Sequence, residues 1–267
     1  NGRIDLTQAE AIIDIIEAKT EDSLSLAVAQ LDGTVSSFVK DVREQLIAMI
    51  AHLEVTIDYP EEDIEDVTSQ EVREQLQPIL KAMDELLSTA NTGRLIRDGI
   101  TTVIVGRPNA GKSSLMNALL RENRAIVTDI PGTTRDSIEE YMTVEGISLR
   151  LIDTAGIRDT QDTVEALGVE RARDYINKAD IVLCVIDGST SLTPEEIEIL
   201  TSVSGLNTIV LLNKSDVAQV VTDENIKEHG IFTAIERISA KEGEGSAVLS
   251  KWVQELVYGG RVKQDNS

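Results

Sequence analysis

The chain is poor in cysteine, aromatics, histidine and basic residues. One cysteine, Cys184, in 267 residues leaves no disulfide framework within the chain, which fits a reducing cytosol. Its setting, Ile181-Val-Leu-Cys-Val-Ile186, reads as a small buried core residue rather than a nucleophile or ligand. Aromatics make up 3% of the chain, which argues against the base-stacking platforms of single-strand binders. The two histidines, His52 and His229, have no ligand cluster near them in sequence, which argues against a transition-metal site. Lysine and arginine number 25 against 47 acids, a formal charge of −22. Such a surface repels phosphate backbones, so a nucleic-acid role needs a partner or a further segment. No apolar run is long enough to span a bilayer and no signal peptide is recognisable, so no membrane partner is expected and a cytoplasmic location is. The chain begins at Asn1 without a methionine, as a fragment or processed product does. At 41% hydrophobic residues it can build a substantial core, and its length suits about two domains of roughly 150 residues each.

Residues 1–98 read as an all-α helical region. Ile13, Ile16, Thr20, Leu24, Ala27 and Leu31 recur at spacings of three or four and end at Gly33. Val35, Phe38, Val42, Leu46, Met49, Leu53 and Ile57 form a second stripe, and Val72, Leu76, Ile79, Met83, Leu86 and Ala90 a third. These one-sided apolar faces need helical partners. Pro78 is expected to kink or restart the third helix. The acidic run Tyr59-Pro-Glu-Glu-Asp-Ile-Glu-Asp66 suggests either a metal site or, as the favoured reading, a solvated loop before a helix.

From Ile100 short β-branched runs alternate with helices, the pattern of a mostly parallel sheet covered on both faces. Strands are expected at 101–105, 137–144, 148–153, 181–187, 208–213 and 233–238. Helices are expected to start at Lys112, near Val169, at Pro194, near Asp223 and near Gly245. Glu145-Gly146 reads as a hairpin turn, which makes one strand antiparallel. Thr193-Pro-Glu-Glu196 is a helix start: a cap, a proline at the first position, then acids. The division is thus a helical domain over 1–98, a nucleotide-binding α/β domain over 99–260 and a polar tail over 261–267.

Gly106-Arg-Pro-Asn-Ala-Gly-Lys-Ser113 matches the phosphate loop G-x-x-x-x-G-K-[ST], between an apolar strand and a helical pattern. In that context the backbone of Asn109, Ala110, Gly111, Lys112, Ser113 and Ser114 can cradle phosphate oxygens at a helix N-terminus. Lys112 is expected to reach the outer phosphates, and Ser113 to offer its hydroxyl to Mg²⁺. The plain alternative is a glycine-rich βα turn. Asp153-Thr-Ala-Gly156 closes a strand; Asp153 can hold Mg²⁺ through water, and the Gly156 N–H can sense a γ-phosphate. Asn213-Lys-Ser-Asp216 follows another strand. Its Asp216 carboxylate only accepts hydrogen bonds, and guanine presents two adjacent donors that adenine lacks in that arrangement. Asn213 is expected to bridge base and phosphate loop, the Lys214 stem to cover the ring, and the backbone N–H groups of Ser239, Ala240 and Lys241 to meet guanine O6. Gly132-Thr-Thr-Arg-Asp136 supplies a threonine for the Mg²⁺ shell with GTP bound, Thr134 being favoured. The motifs together point to a Ras-like P-loop GTPase domain. The position after Asp-x-x-Gly is Ile157, which cannot orient water, so another residue must do so. Arg135 and Arg158 are alternative charge donors that read better as surface residues.

The chain resembles the MnmE (TrmE) family of tRNA-modification GTPases. The resemblance is carried by residues 105–117, by Ile126-Val-Thr-Asp-Ile-Pro-Gly-Thr-Thr-Arg-Asp136 and by Ile152-Asp-Thr-Ala-Gly-Ile-Arg158. Outside the G domain, residues 1–11 and Tyr59-Pro-Glu-Glu-Asp63 match as well. The family implies a folate-binding domain, a helical domain and a G domain inserted into the helical one. On that reading this chain has the first half of the helical domain, whose stripes lack partner helices, and ends at Lys263-Gln-Asp-Asn-Ser267 without the family's Cys-x-Gly-Lys ending. The resemblance implies that Glu165 positions water through a bridging water. It also implies that K⁺ binds when two G domains face each other, through the Asn109 side chain and carbonyls between Thr128 and Thr133, Ile130 among them. The implied partners are a second copy, an MnmG-like protein that carries FAD, and tRNA through that complex alone. A ribosome-assembly GTPase, or an assembly module with negligible hydrolysis, is the alternative. The acidic charge speaks against the first of these.

Overall fold

The structure is a computed structural model that describes residues 5–58, 69–123, 139–153 and 173–259. Its contacts divide into two units, Asn1–Arg97 and Asp98–Ser267.

The first unit contains α1 (Leu6–Glu17), α2 (Glu21–Leu31), α3 (Thr34–Asp58) and α4 (Ser69–Asp98). The stripe that reads as one helix up to Gly33 is two helices. Thr20 adopts extended backbone and caps α2, its hydroxyl accepting from the Ser23 N–H while the Ser23 side chain accepts from the Thr20 N–H. Asp5 caps α1 in the same reciprocal way with Gln8. The Asp5 carboxyl is lowered from its ordinary value by hydrogen bonds from the Ser36 hydroxyl, the Gln8 amide and Thr7. Pro78 lies inside α4, which continues through it as one helix. Among the described residues few side chains of this unit are buried; Ala11, Ala27, Ile79 and Leu95 are the apolar ones. Ile16, Ile50, Ile57 and Leu87 stay largely exposed. The acidic run at 59–66 lies outside the described residues.

Among the described residues the second unit contains a six-stranded sheet in the order β2-β3-β1-β4-β5-β6. The strands are β1 (Ile100–Val105), β2 (Glu139–Val144), β3 (Ile147–Asp153), β4 (Ile181–Asp187), β5 (Thr208–Asn213) and β6 (Ala234–Arg237). Neighbours are parallel except β2 and β3, joined through the expected hairpin with Val144 opposite Ile147. Glu145 (φ +51°) and Gly146 (φ +78°) make the two-residue turn. Positive φ at both positions matches the twist of the two strands. The central strands are apolar nearly throughout, as strands covered on both faces must be. On one face Val103, Val105, Val182, Cys184, Val210 and Leu212 pack with Leu200, Val203, Val221 and Ile226. The Cys184 thiol is fully buried, and its burial, with Glu196 nearby, pushes its pKa up to about 12. The helices of this unit are α5 (Lys112–Asn123), α6 (Pro194–Ser202), α7 (Asp223–Lys227) and α8 (Gly245–Tyr258), with residues 173–178 also helical. Thr193 caps α6 with Pro194 in the first turn, as the sequence predicts, and Glu196 returns the cap bond. The sheet order, its single antiparallel edge and the phosphate loop after β1 are those of the Ras-like P-loop GTPase fold.

Candidate functional site

Every described motif sits at the carboxyl ends of the parallel strands, where open α/β sheets bind ligands. The register places these ends side by side: Ile104 opposite Asp153, Val105 opposite Cys184, and Asp187 opposite Asn213. β1 lies between β3 and β4, so the loop that leaves it opens where the strand order reverses.

That loop runs from Gly106 into α5. Asn109 takes φ +65°, a left-handed conformation that asparagine tolerates better than most residues. Gly111 takes φ +105°, and a β-carbon there would run into the Asn213 carboxamide. The Lys112 ammonium, buried to 6% exposure, donates to the carbonyls of Gly106 (2.8 Å) and Arg107 (2.7 Å), drawing the loop around itself. Ser113 and Ser114 are exposed in the first turn of α5. Arg107 fastens the outside of the loop to α6 through the Glu195 carboxylate, at 3.0 Å.

At the other end Asn213 is buried, and its carboxamide spans two loops. Its Nδ2 donates to the Ala110 carbonyl at 2.7 Å, and its Oδ1 accepts from the Ala240 N–H at 3.0 Å. The expected bridge runs from the phosphate loop to the base; here the carboxamide holds the phosphate loop at one end and the 239–241 turn at the other. Lys214 has φ +65°, and its ammonium pairs with the Asp187 carboxylate. Burial raises the Asp187 carboxyl, but hydrogen bonds from Lys214 and Ser189 outweigh it and hold the group below its ordinary value of 3.8. Gln219 Nε2 donates to the Lys214 carbonyl at 2.7 Å, bracing the same loop. Asp216 is exposed, and its Oδ1 accepts the Ser239 hydroxyl at 3.0 Å. The Ser239 amide donates to Glu244 Oε2 at 2.7 Å. Of the three N–H groups expected at guanine O6, those of Ser239 and Ala240 therefore have acceptors inside the protein.

The structure thus brings together Asn109, Ala110, Gly111, Lys112, Ser113, Ser114, Asn213, Lys214, Asp216, Ser239, Ala240 and Lys241 along one edge of the sheet. Asp153 ends β3 beside β1. Thr128, Ile130, Thr133, Thr134, Gly156 and Glu165 lie outside the described residues. Asp187, Gln219 and Glu244 were not singled out from the sequence. Asp187 carries a weak signal, a carboxylate closing an apolar strand; Gln219 and Glu244 belong to no motif that would mark them, although Gln219 bonds within its own loop, to Lys214 and Val217. Serine at the start of α5 and aspartate at the end of β3 are oxygen donors by residue type, the type that suits Mg²⁺. Among the described residues no cluster of three or more histidine, cysteine or acidic side chains could hold a metal, and no helix is long and apolar enough to cross a membrane.

Residues 6–267 match the sequence profile of the family described as MnmE helical domain. The chain is similar to proteins named tRNA modification GTPase MnmE. That of Clostridioides difficile (strain 630) is 48% identical over 267 residues, covering 100% of this chain and 58% of that protein. That of Heliobacterium modesticaldum is 52% identical over 263 residues, covering 97% of this chain and 56% of that protein. The chain therefore spans little more than half the length of these relatives. Among solved structures, a point variant of Aquifex aeolicus Era bound to GDP and AlF₄⁻ shares 28% identity over 59% of this chain and 56% of that one, at a TM-score of 0.45. The assignment rests on the family profile and the sequence relatives. The chain belongs to the MnmE family.

Proposed function

We propose that this member of the MnmE family binds GTP at the carboxyl edge of its sheet and hydrolyses it to GDP and phosphate in the service of tRNA modification. The observation that carries the reading is the Asn213 carboxamide, which ties the phosphate loop at Ala110 to the Ala240 turn beside the Asp216 carboxylate. Guanine N1–H and the 2-amino group match that acceptor. A site built around such a pair rejects a ligand without the donors by roughly 10⁴–10⁵. The similar proteins are named as tRNA modification GTPases, which agrees with this reading.

In the proposed reaction the phosphate-loop amides and Lys112 hold the β- and γ-phosphates, and the Gly156 N–H contacts the γ-phosphate. Ser113, Thr134 and Asp153 hold Mg²⁺, which neutralises charge on the phosphates. Ile157 has no polar group to orient water, and the family resemblance assigns that role to Glu165, acting through a second water. Asn109 and the carbonyls of Thr128, Ile130 and Thr133 form a K⁺ site that is complete when two G domains meet; when bound, the ion adds positive charge at the γ-phosphoryl group. The further partners are an MnmG-like FAD protein and, through it, tRNA, and the setting is the cytoplasm.

Steady-state phosphate release in K⁺ and in Na⁺, at several protein concentrations, tests this. The expected result is a faster rate in K⁺ that rises more than linearly with protein. Asn109→Ser should remove the K⁺ stimulation and leave GDP affinity largely intact. Equal rates in the two salts for the unmutated chain would remove the K⁺ site, and no multiple-turnover release would remove the GTPase.

A further inference from the structure

We propose that Glu244 is a positioning residue for guanine recognition: its carboxylate clamps the two loops that read the base and, through Ser239, fixes the plane of the Asp216 carboxylate. The inference rests on the GTP-binding reading above.

Glu244 stands at the cap position of α8, yet its side chain makes no cap bond to that helix. It reaches back instead. Oε2 accepts from the Ser239 N–H at 2.7 Å and from the Ser215 hydroxyl at 3.2 Å. Ser215 belongs to the Asn213–Asp216 motif and Ser239 to the turn after β6, so one carboxylate oxygen bridges two residues 24 positions apart in sequence. Charge-assisted hydrogen bonds of this kind are about twice as strong as neutral ones.

Donor arithmetic carries the effect to the base. A serine hydroxyl has one proton to give. The Ser239 Oγ accepts from the Glu242 N–H at 3.3 Å, which leaves its proton for Asp216 Oδ1 at 3.0 Å. Ser239 therefore stands between two carboxylates, its amide given to Glu244 and its hydroxyl to Asp216. Guanine needs both Asp216 oxygens in the plane of its N1–H and 2-amino groups. Without the Glu244 carboxylate the Ser239 amide loses its acceptor, the backbone keeps only the bonds its carbonyl accepts from the Glu242 and Glu244 N–H groups, and the hydroxyl that holds that plane is less firmly placed. A ligand with two donors loses more from this than a ligand with one. Hypoxanthine keeps N1–H and lacks the 2-amino group, so GDP and IDP separate the effect on base reading from a general loss of binding.

Calorimetry on the whole chain with GDP and with IDP tests the proposal. Glu244→Ala should weaken GDP about tenfold and IDP by about threefold or less, so that the GDP-to-IDP ratio falls. Glu244→Gln keeps an acceptor oxygen and should retain most of the ratio. Ser239→Ala should lose the same selectivity, and adding Glu244→Ala to it should cost little more, because the two act in series. Thermal melts without nucleotide establish that each variant is folded. Should Glu244→Ala not fold, Glu244→Gln and Ser239→Ala carry the comparison. Parallel losses for GDP and IDP, or additive losses in the double variant, would overturn the positioning role while the GTP-binding reading stands. If the unmutated chain takes up neither nucleotide, that reading fails and this inference goes with it.

Discussion

At Gly111 the backbone sits at φ +105°, with the Asn213 carboxamide against the α-carbon. Gly111→Ala pushes that carboxamide off the Ala110 carbonyl and forces a strained backbone. We expect GDP affinity to fall roughly tenfold or more, read by calorimetry, since a hydrogen bond to a buried group is lost and its partner left bare. Asp187 gives a pH test. Hydrogen bonds from Lys214 and Ser189 outweigh the effect of burial and lower its carboxyl below 3.8. A carboxylate lowered in the folded state adds stability above its unfolded pKa, and that addition disappears as the pH falls through the folded value. Asp187→Asn should therefore be less stable than the unmutated chain in urea titrations at about pH 7, and the gap should shrink as the pH is taken below the ordinary value of 3.8. The two residues also mark what the sequence can disclose. Lys112, Asn213 and Asp216 are legible because their side chains have one chemical use at those spacings. Asp187 and Glu244 are not: beside a near neighbour each has a distant partner, Lys214 and Ser215, 27 and 29 positions away. No local pattern records that distance.

Among the elements, strands were easier to foresee than helix breaks. β4 and β5 match their expected bounds because a fully buried strand is an unbroken apolar run with polar ends. β6 is shorter than expected, Ala234–Arg237 rather than 233–238, as an edge strand has fewer partners to hold its ends. In the first unit the apolar spacing of three and four runs through Ile16, Thr20 and Leu24 without a gap, so periodicity alone shows one helix where there are two. The break is written in capping chemistry, Thr20 with Ser23, which is a local signal of a different kind. Pro78 shows the reverse: a strong breaker that lies inside a helix, at the loss of one backbone hydrogen bond. Thr20→Ala removes the cap of α2 and should lower stability by about 1 kcal/mol, measured by denaturant titration of helical circular dichroism.

For the molecule as a whole, the two units and the GTP site proposed above make a simple test. A ligand that binds the native form alone stabilises it by about 2.7 kcal/mol at 100 times its dissociation constant. With GDP at that level, the thermal transition that reports the 98–267 unit should move up in temperature. ATP at the same concentration should leave it in place. Sheet order has a further consequence, for synthesis. β1 is made first of the six strands but lies third in the sheet, between β3 and β4. Its first parallel partner in β3 is Leu149, opposite Ile100, and its β4 neighbours begin at Ile181. At the ribosomal pace of about 5–20 residues per second, this apolar segment waits several seconds for each flank to be made. During that interval its unpaired N–H and C=O groups are open to any extended peptide nearby. A nascent chain stalled between residues 105 and 147 should therefore recruit chaperones more readily than one released after Asn213.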